Sequence, residues 1–183
     1  MEASALTATR ERLAALSAEL AFDASPDSLE VALPVETLLD VCRVARRELG
    51  FRLLMSISAV DWKDRYELVY HLYRLDAAES LVLRCRLPRV EAPVAPSLTP
   101  EWPGADFQER EVYDLMGIVF EGHPDLRRIL LDDDFPGHPL RKDFQANPAD
   151  VLVPHLRLPG YPGATPGRAS SGQFLPAEER RDE

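Results

Sequence analysis

Two hydrophobic periods share the first ninety residues. Residues 4–22 space Leu6, Leu13, Leu16 and Leu20 near one stripe, which predicts a helix. Residues 28–33, S-L-E-V-A-L, alternate and set Leu29, Val31 and Leu33 on one side of a strand. From Pro34 the spacing returns to threes and fours through Val35, Leu38, Leu39, Cys42, Ala45 and Leu49. Gly50 stands where such a helix stops. Period two then recurs three times. Residues 51–58 align Phe51, Leu53, Met55 and Ile57. Residues 65–73 align Tyr66, Leu68, Tyr70 and Leu72. Residues 81–87 align Leu81, Leu83, Cys85 and Leu87, with Arg84 and Arg86 opposite. The short connections at 59–64 and 74–80 predict an antiparallel meander. The expected fold class is α+β: a small mixed or antiparallel sheet with helices on one face, in the order α-β-α-β-β-β.

After residue 88 the pattern changes. Fourteen of the sixteen prolines lie from 88 onward, and proline removes a backbone donor and fixes φ. Four regions are expected. Residues 1–87 form the α+β core domain and 88–104 a Pro-rich linker. Residues 105–144 form a docking segment that opens with a charged helix, 107–116. Residues 145–183 form an extended C-terminal arm. Asp106 with Glu109 has the spacing of an N-terminal capping box, and Gly117 fits a C-terminal stop.

Composition narrows the classes of function. Of 183 residues, 45% are apolar, enough for a real core, and the net charge is −10. That charge argues against nucleic acid or anionic lipid as main partner. The longest apolar runs fall well short of the ~20 residues that span a bilayer. The start, MEASALTATRERL, lacks the basic and apolar regions of a secretory signal, so the cytosol is expected. Cys42 and Cys85 make no C-x-x-C, and both fall on buried stripes as small hydrophobes. No metal or cofactor site is expected from them.

The candidate chemistry lies in 105–144. The helix carries Glu109, Arg110, Glu111 and Asp114. Arg110 can reach Asp114 one turn on, whereas Glu109 and Glu111 point to opposite sides and make a poor acid/base pair. A solvated helical face is the simplest reading of those charges. Gly-His-Pro then occurs twice, at 122–124 and 137–139, each followed by Leu and a basic pair. Glycine can take φ > 0, and proline pushes the preceding residue out of the helical region. Each triplet is therefore a stiff corner that aims one imidazole, His123 or His138. Three uses compete. The first is a hydrolase or metal site from His123, Asp125, His138 and Asp132–Asp134, which lacks any regular ligand frame. The second is a turn histidine that caps local backbone. The third is a docking segment in which Arg127, Arg128, Arg141 and Lys142 meet carboxylates of a neighbouring protein. The third best accounts for the missing catalytic frame and for the long tail with Leu152, Val153, Leu156, Leu158, Tyr161 and Phe174.

The run Phe107–Phe144 resembles the 30-kDa-subunit family of respiratory complex I, the C subunit of bacterial NADH:quinone oxidoreductase. The resemblance rests on E-R-E-x-x-D-L-x-G-I-x-F-x-G-H-P-x-L-x-R-I-L followed by G-H-P-L-R-K-D. It extends in order to V-x-x-L-L-D-V-C, S-A-V-D at 58–61 and V-Y-H-L-Y at 69–73, covering about 25–144. Phe107 and Phe135 stand where the family often has Trp, and Asp132 where Pro is common. The resemblance implies a non-catalytic member of the peripheral arm, on the cytoplasmic face of the membrane. It implies no cofactor in this chain, with iron–sulfur clusters and FMN in partner subunits. The implied partners are the quinone-site D subunit and neighbouring iron–sulfur subunits. Related subunits occur in membrane-bound hydrogenase complexes.

Overall fold

The computed structural model describes residues 5–25 and 28–145; the arm expected over 145–183 lies outside them beyond Gln145. The elements run α1 (Ala5–Ala14), β1 (Ala21–Ser25), β2 (Ser28–Pro34), a 3-10 turn (Val35–Thr37), α2 (Leu38–Arg47), β3 (Leu53–Asp61), β4 (Arg65–Arg74) and β5 (Glu79–Pro88). Then come β6 (Val94–Pro96), α3 (Ala105–Met116) and β7 (Val119–Glu121). Five strands form one mixed sheet in the order β1-β2-β5-β4-β3, and β6 pairs with β7 in a small parallel ladder. The expected meander β3-β4-β5 is antiparallel, and β2 joins β5 in parallel.

Alternation explains the core. Leu29, Val31 and Leu33 sit opposite Leu81, Leu83 and Cys85, which sit opposite Leu72, Tyr70 and Leu68. All nine are at most 3% exposed. They share one cluster with residues of α1, α2 and α3, while Val69 and Val82 on the other sheet face lie outside it. Each fully buried Leu stabilises the fold by about 1.5–3 kcal/mol. An exposed pair such as Arg12–Glu48, at 2.7 Å, contributes about 0–1 kcal/mol. The sheet face, not surface pairing, therefore holds this fold. Cys42 and Cys85 are buried in it. Burial pushes the Cys42 thiol well up and brings the Cys85 thiol to about 12, as fits core side chains.

Three expectations fail for local reasons. The helix expected over 4–22 stops at Ala14, and 21–25 is an edge strand instead. The Ser17 hydroxyl oxygen accepts the Glu19 N–H at 3.1 Å, a local bond that competes with helix. In β3 the register shifts between Leu54 and Ser56. The bulge turns Leu54 inward and leaves Leu53 and Met55 exposed, which breaks the expected alignment of 51, 53, 55 and 57. The linker expected at 88–104 is also no spacer. Ala95, Leu98 and Trp102 are buried in the common core, and Trp102 donates its indole N–H to the Arg52 carbonyl at 3.1 Å. Glu101, 2% exposed, draws Arg46 and Arg47 of α2 to its carboxylate. The chain through Gln145 is one compact unit, with no boundary at residue 87.

Candidate functional site

The charged helix α3 is not a solvated face. Glu109 and Asp114 are fully buried and Arg110 is 6% exposed, while Glu111 alone of the four is exposed. A buried charge persists only with partners, so each must have them. Glu109 does not cap the helix start. Its carboxylate accepts the Ser97 hydroxyl and the Leu98 N–H, both at 2.6 Å, and the N-cap position is Gly104 without a side-chain bond. Burial pushes the Glu109 carboxyl up, and those two donors only partly oppose it.

Arg110 does not reach Asp114. Its guanidinium donates to the carbonyls of Arg127 and Arg128, at 3.2 Å each. Asp114 turns instead to the loop beyond the first corner. Its carboxylate accepts the N–H groups of Ile129, Leu130 and Leu131 at 3.0, 2.8 and 2.9 Å, and the Arg128 guanidinium at 3.0 Å. Burial would raise the Asp114 carboxyl, but these four donors outweigh it and hold it below its ordinary value.

The two histidine corners are staples on the same helix. Gly122 and Gly137 both take positive φ, +83° and +86°, as the G-H-P triplets require. His123 accepts the Asp125 N–H at Nδ1 (3.0 Å) and so presents Nε2–H to the Asp106 carbonyl at 3.2 Å. His138 directs Nδ1 to the Asp114 carbonyl at 2.8 Å. Burial and the cations Arg141 and Arg128 push the His138 imidazole down, so it is neutral near pH 7 and Nδ1–H donates. Arg141 then closes the C-terminal end. It donates to the Met116 carbonyl at 2.7 Å, to Gly117 at 3.3 Å and to Glu91 at 2.7 Å. The last carbonyls of a helix have no partner of their own and carry negative partial charge, so a guanidinium there is favoured twice over. Gly117 permits this approach. Its φ is +69°, and a Cβ at that position would lie 2.5 Å from the His138 ring and 2.6 Å from Arg141.

The sheet holds the end of the segment. Asp61, the last residue of β3, pairs with Arg89 and accepts the Lys142 N–H at 3.0 Å and the Lys63 N–H at 2.8 Å. Burial would raise its carboxyl, but Arg89 and the two N–H groups bring it down to about 2. Arg89 also meets Asp143 at 3.0 Å.

The hydrolase reading does not survive this geometry. The carbonyls that hold His123 and His138 are eight residues apart on α3, about 12 Å at 1.5 Å per residue. Both rings already serve backbone groups, and Asp125 pairs with Arg127 at 2.8 Å. Of the eleven residues assigned to a partner interface, Glu111, Asp125, Arg127 and Lys142 are exposed. Glu109, Arg110, Asp114, His123, Arg128, His138 and Arg141 serve the chain's own fold. Asp61, Ser97 and Glu101 were not singled out by sequence. Only the acid of S-A-V-D gave any signal.

The model of the family described as "Respiratory-chain NADH dehydrogenase, 30 Kd subunit" matches residues 31–150. The C subunit of the NADH-quinone oxidoreductase of Moorella thermoacetica is 45% identical over 117 residues, spanning 63% of this chain and 78% of that protein. In Phocaeicola vulgatus the similar protein is the combined C/D subunit of NADH-quinone oxidoreductase, 41% identical over 118 residues, 64% of this chain and 23% of that one. Among solved structures, a chain of the membrane-bound sulfane sulfur reductase, an archaeal respiratory membrane complex, superposes with a TM-score of 0.67. It is 28% identical and covers 76% of this chain and 85% of its own. With the family pattern matched across most of the described fold and its polar residues bracing α3, the chain belongs to the respiratory-chain NADH dehydrogenase 30 kDa subunit family.

Proposed function

We infer that this chain is the C subunit of an NADH:quinone oxidoreductase, a scaffold of the peripheral arm that does no chemistry itself. Family membership, together with relatives named for this subunit, carries the reading. The geometry supports a scaffold, since the motif's polar side chains are engaged in holding one helix and its two corners rather than aimed at a common point. The complex passes electrons from NADH through FMN and iron–sulfur clusters in partner subunits to quinone, coupled to ion translocation. The quinone-site D subunit is the direct partner; the relative that unites C and D in one polypeptide supports this. The chain attaches to the cytoplasmic side of the membrane through the complex; among the described residues no helix is long and apolar enough to cross a bilayer. The same fold stands in a sulfane sulfur reductase, and identity favours the NADH-quinone reading, 45% against 28%.

Deletion of the gene with and without complementation tests this. Membranes from the deletion strain are expected to lose NADH:quinone activity and regain it with the full chain, while the purified chain oxidises no NADH. Unchanged activity in the deletion strain, or stoichiometric iron or flavin in the purified chain, would contradict the reading.

A further inference from the structure

Residues 128–134, R-I-L-L-D-D-D, run beside α3 with no helix or strand of their own. Three consecutive N–H groups, of Ile129, Leu130 and Leu131, converge on one oxygen of Asp114. That fixes the backbone and therefore the direction in which the side chains leave it. Yet Ile129 is 37% exposed and Leu130 61%. A buried carboxylate thus holds apolar side chains out in water, the reverse of what closing a core requires. Asp132, Asp133 and Asp134 follow at once, and all three are exposed. Across 105–145 the exposed side chains include seven carboxylates and only two cations, Arg127 and Lys142. Arg127 already pairs with Asp125, while Arg110, Arg128 and Arg141 bond the chain's own carbonyls.

We propose that Ile129–Asp134 is a docking ridge for a face of the quinone-site D subunit that carries an apolar depression rimmed by Lys or Arg. The proposal rests on the reading under Proposed function and adds the chemistry of the contact. Ile129 and Leu130 enter the depression, and the three aspartates meet the rim. The exposed carboxylates call for a cationic face, and the relative that unites C and D in one polypeptide supports the D subunit as its bearer. Its sign is opposite to the acidic partner face that the R-R and R-K pairs suggest from sequence, because Arg128 and Arg141 are turned to the chain's own carbonyls and the exposed Arg127 is paired with Asp125. Central apolar anchors set residence time in such contacts, and rim charges set approach rate and salt dependence.

The test expresses the tagged full chain in cells lacking their own copy and measures the D subunit recovered in mild detergent at low and high salt. Leu130→Ser, and Asp132, Asp133 and Asp134 changed together to Asn, are each expected to lower recovery about tenfold. The matching change of Asp40, Asp64 and Asp76, 71%, 69% and 84% exposed, is expected to leave recovery as in the wild type. Replacing the ridge aspartates with Glu keeps the charge and should keep the partner. Unfolding of the isolated chains checks that each variant folds. Should the Asn variant fold poorly, the wild type's own salt dependence decides: falling recovery with salt supports the ridge, and salt-independent recovery overturns it. If the wild type recovers the D subunit and both ridge variants do so equally well, the ridge is wrong and the complex I reading stands. If the wild type recovers none, the complex I reading fails first.

Discussion

Asp114 ties more of the motif together than any other side chain. Its carboxylate takes three backbone N–H groups and Arg128 with no exposed surface. Asp114→Ala leaves three amides without an acceptor and takes from the half-buried Arg128 guanidinium its carboxylate, leaving it the Phe135 and Gly137 carbonyls, a loss of about 3–5 kcal/mol by analogy with broken buried pairs. Urea unfolding of the purified chain measures it. The buried acids also set opposing pH dependences. The Asp61 carboxyl sits near 2, below its ordinary 3.8, so its contribution is complete above about 4 and is lost as pH falls through 2. Glu109 is raised above its ordinary 4.5, so its contribution is complete below that value and is lost as pH rises through the folded pKa. Glu109→Gln should therefore gain stability relative to the wild type as pH rises above 4.5, and Asp61→Asn should flatten the acid limb below pH 4. Unfolding midpoints followed from pH 2 to neutral pH and above check both signs. The sequence marked Glu109, Arg110 and Asp114 as notable but not as buried. Their partners are backbone groups and the side chains of Ser97 and Arg128, 11 to 18 residues away, which helical spacing cannot reveal.

Helix α3 depends on the two corners more than on its own capping. Its start has no side-chain cap, whereas His138 and Arg141 occupy its last carbonyls. Gly117→Ala adds about 1 kcal/mol of backbone cost at positive φ and also displaces His138 and Arg141. The expected result is faster proteolysis within 137–145, with the sheet retained by circular dichroism. Elements with a sustained period, β2, α2, β4 and β5, were legible from sequence. So were the stop at Gly117 and the stiffness of the G-H-P corners. Strand β1 was not legible, because five residues beside a longer helical pattern carry too weak a period. Strands β6 and β7 have three residues each and depend on pairing with one another.

At the scale of the molecule, the segment that sequence set apart as an interface packs into the hydrophobic core of the described residues. Trp102, Glu101 and α3 close the sheet face that the first ninety residues leave open. Arg110, Arg128 and Arg141, which looked outward in one dimension, turn inward in three, and the exposed charges of 105–145 are mostly carboxylates. The central claim is that Arg141 builds the fold of this chain and does not reach across to a neighbour. The most direct measurement is the unfolding free energy of isolated Arg141→Ala against the isolated wild type, with no partner present. Loss of the guanidinium leaves the Met116, Gly117 and Glu91 carbonyls without their donor, and a fall of about 1–3 kcal/mol is expected. An isolated variant as stable as the wild type that fails only in assembly would contradict the account.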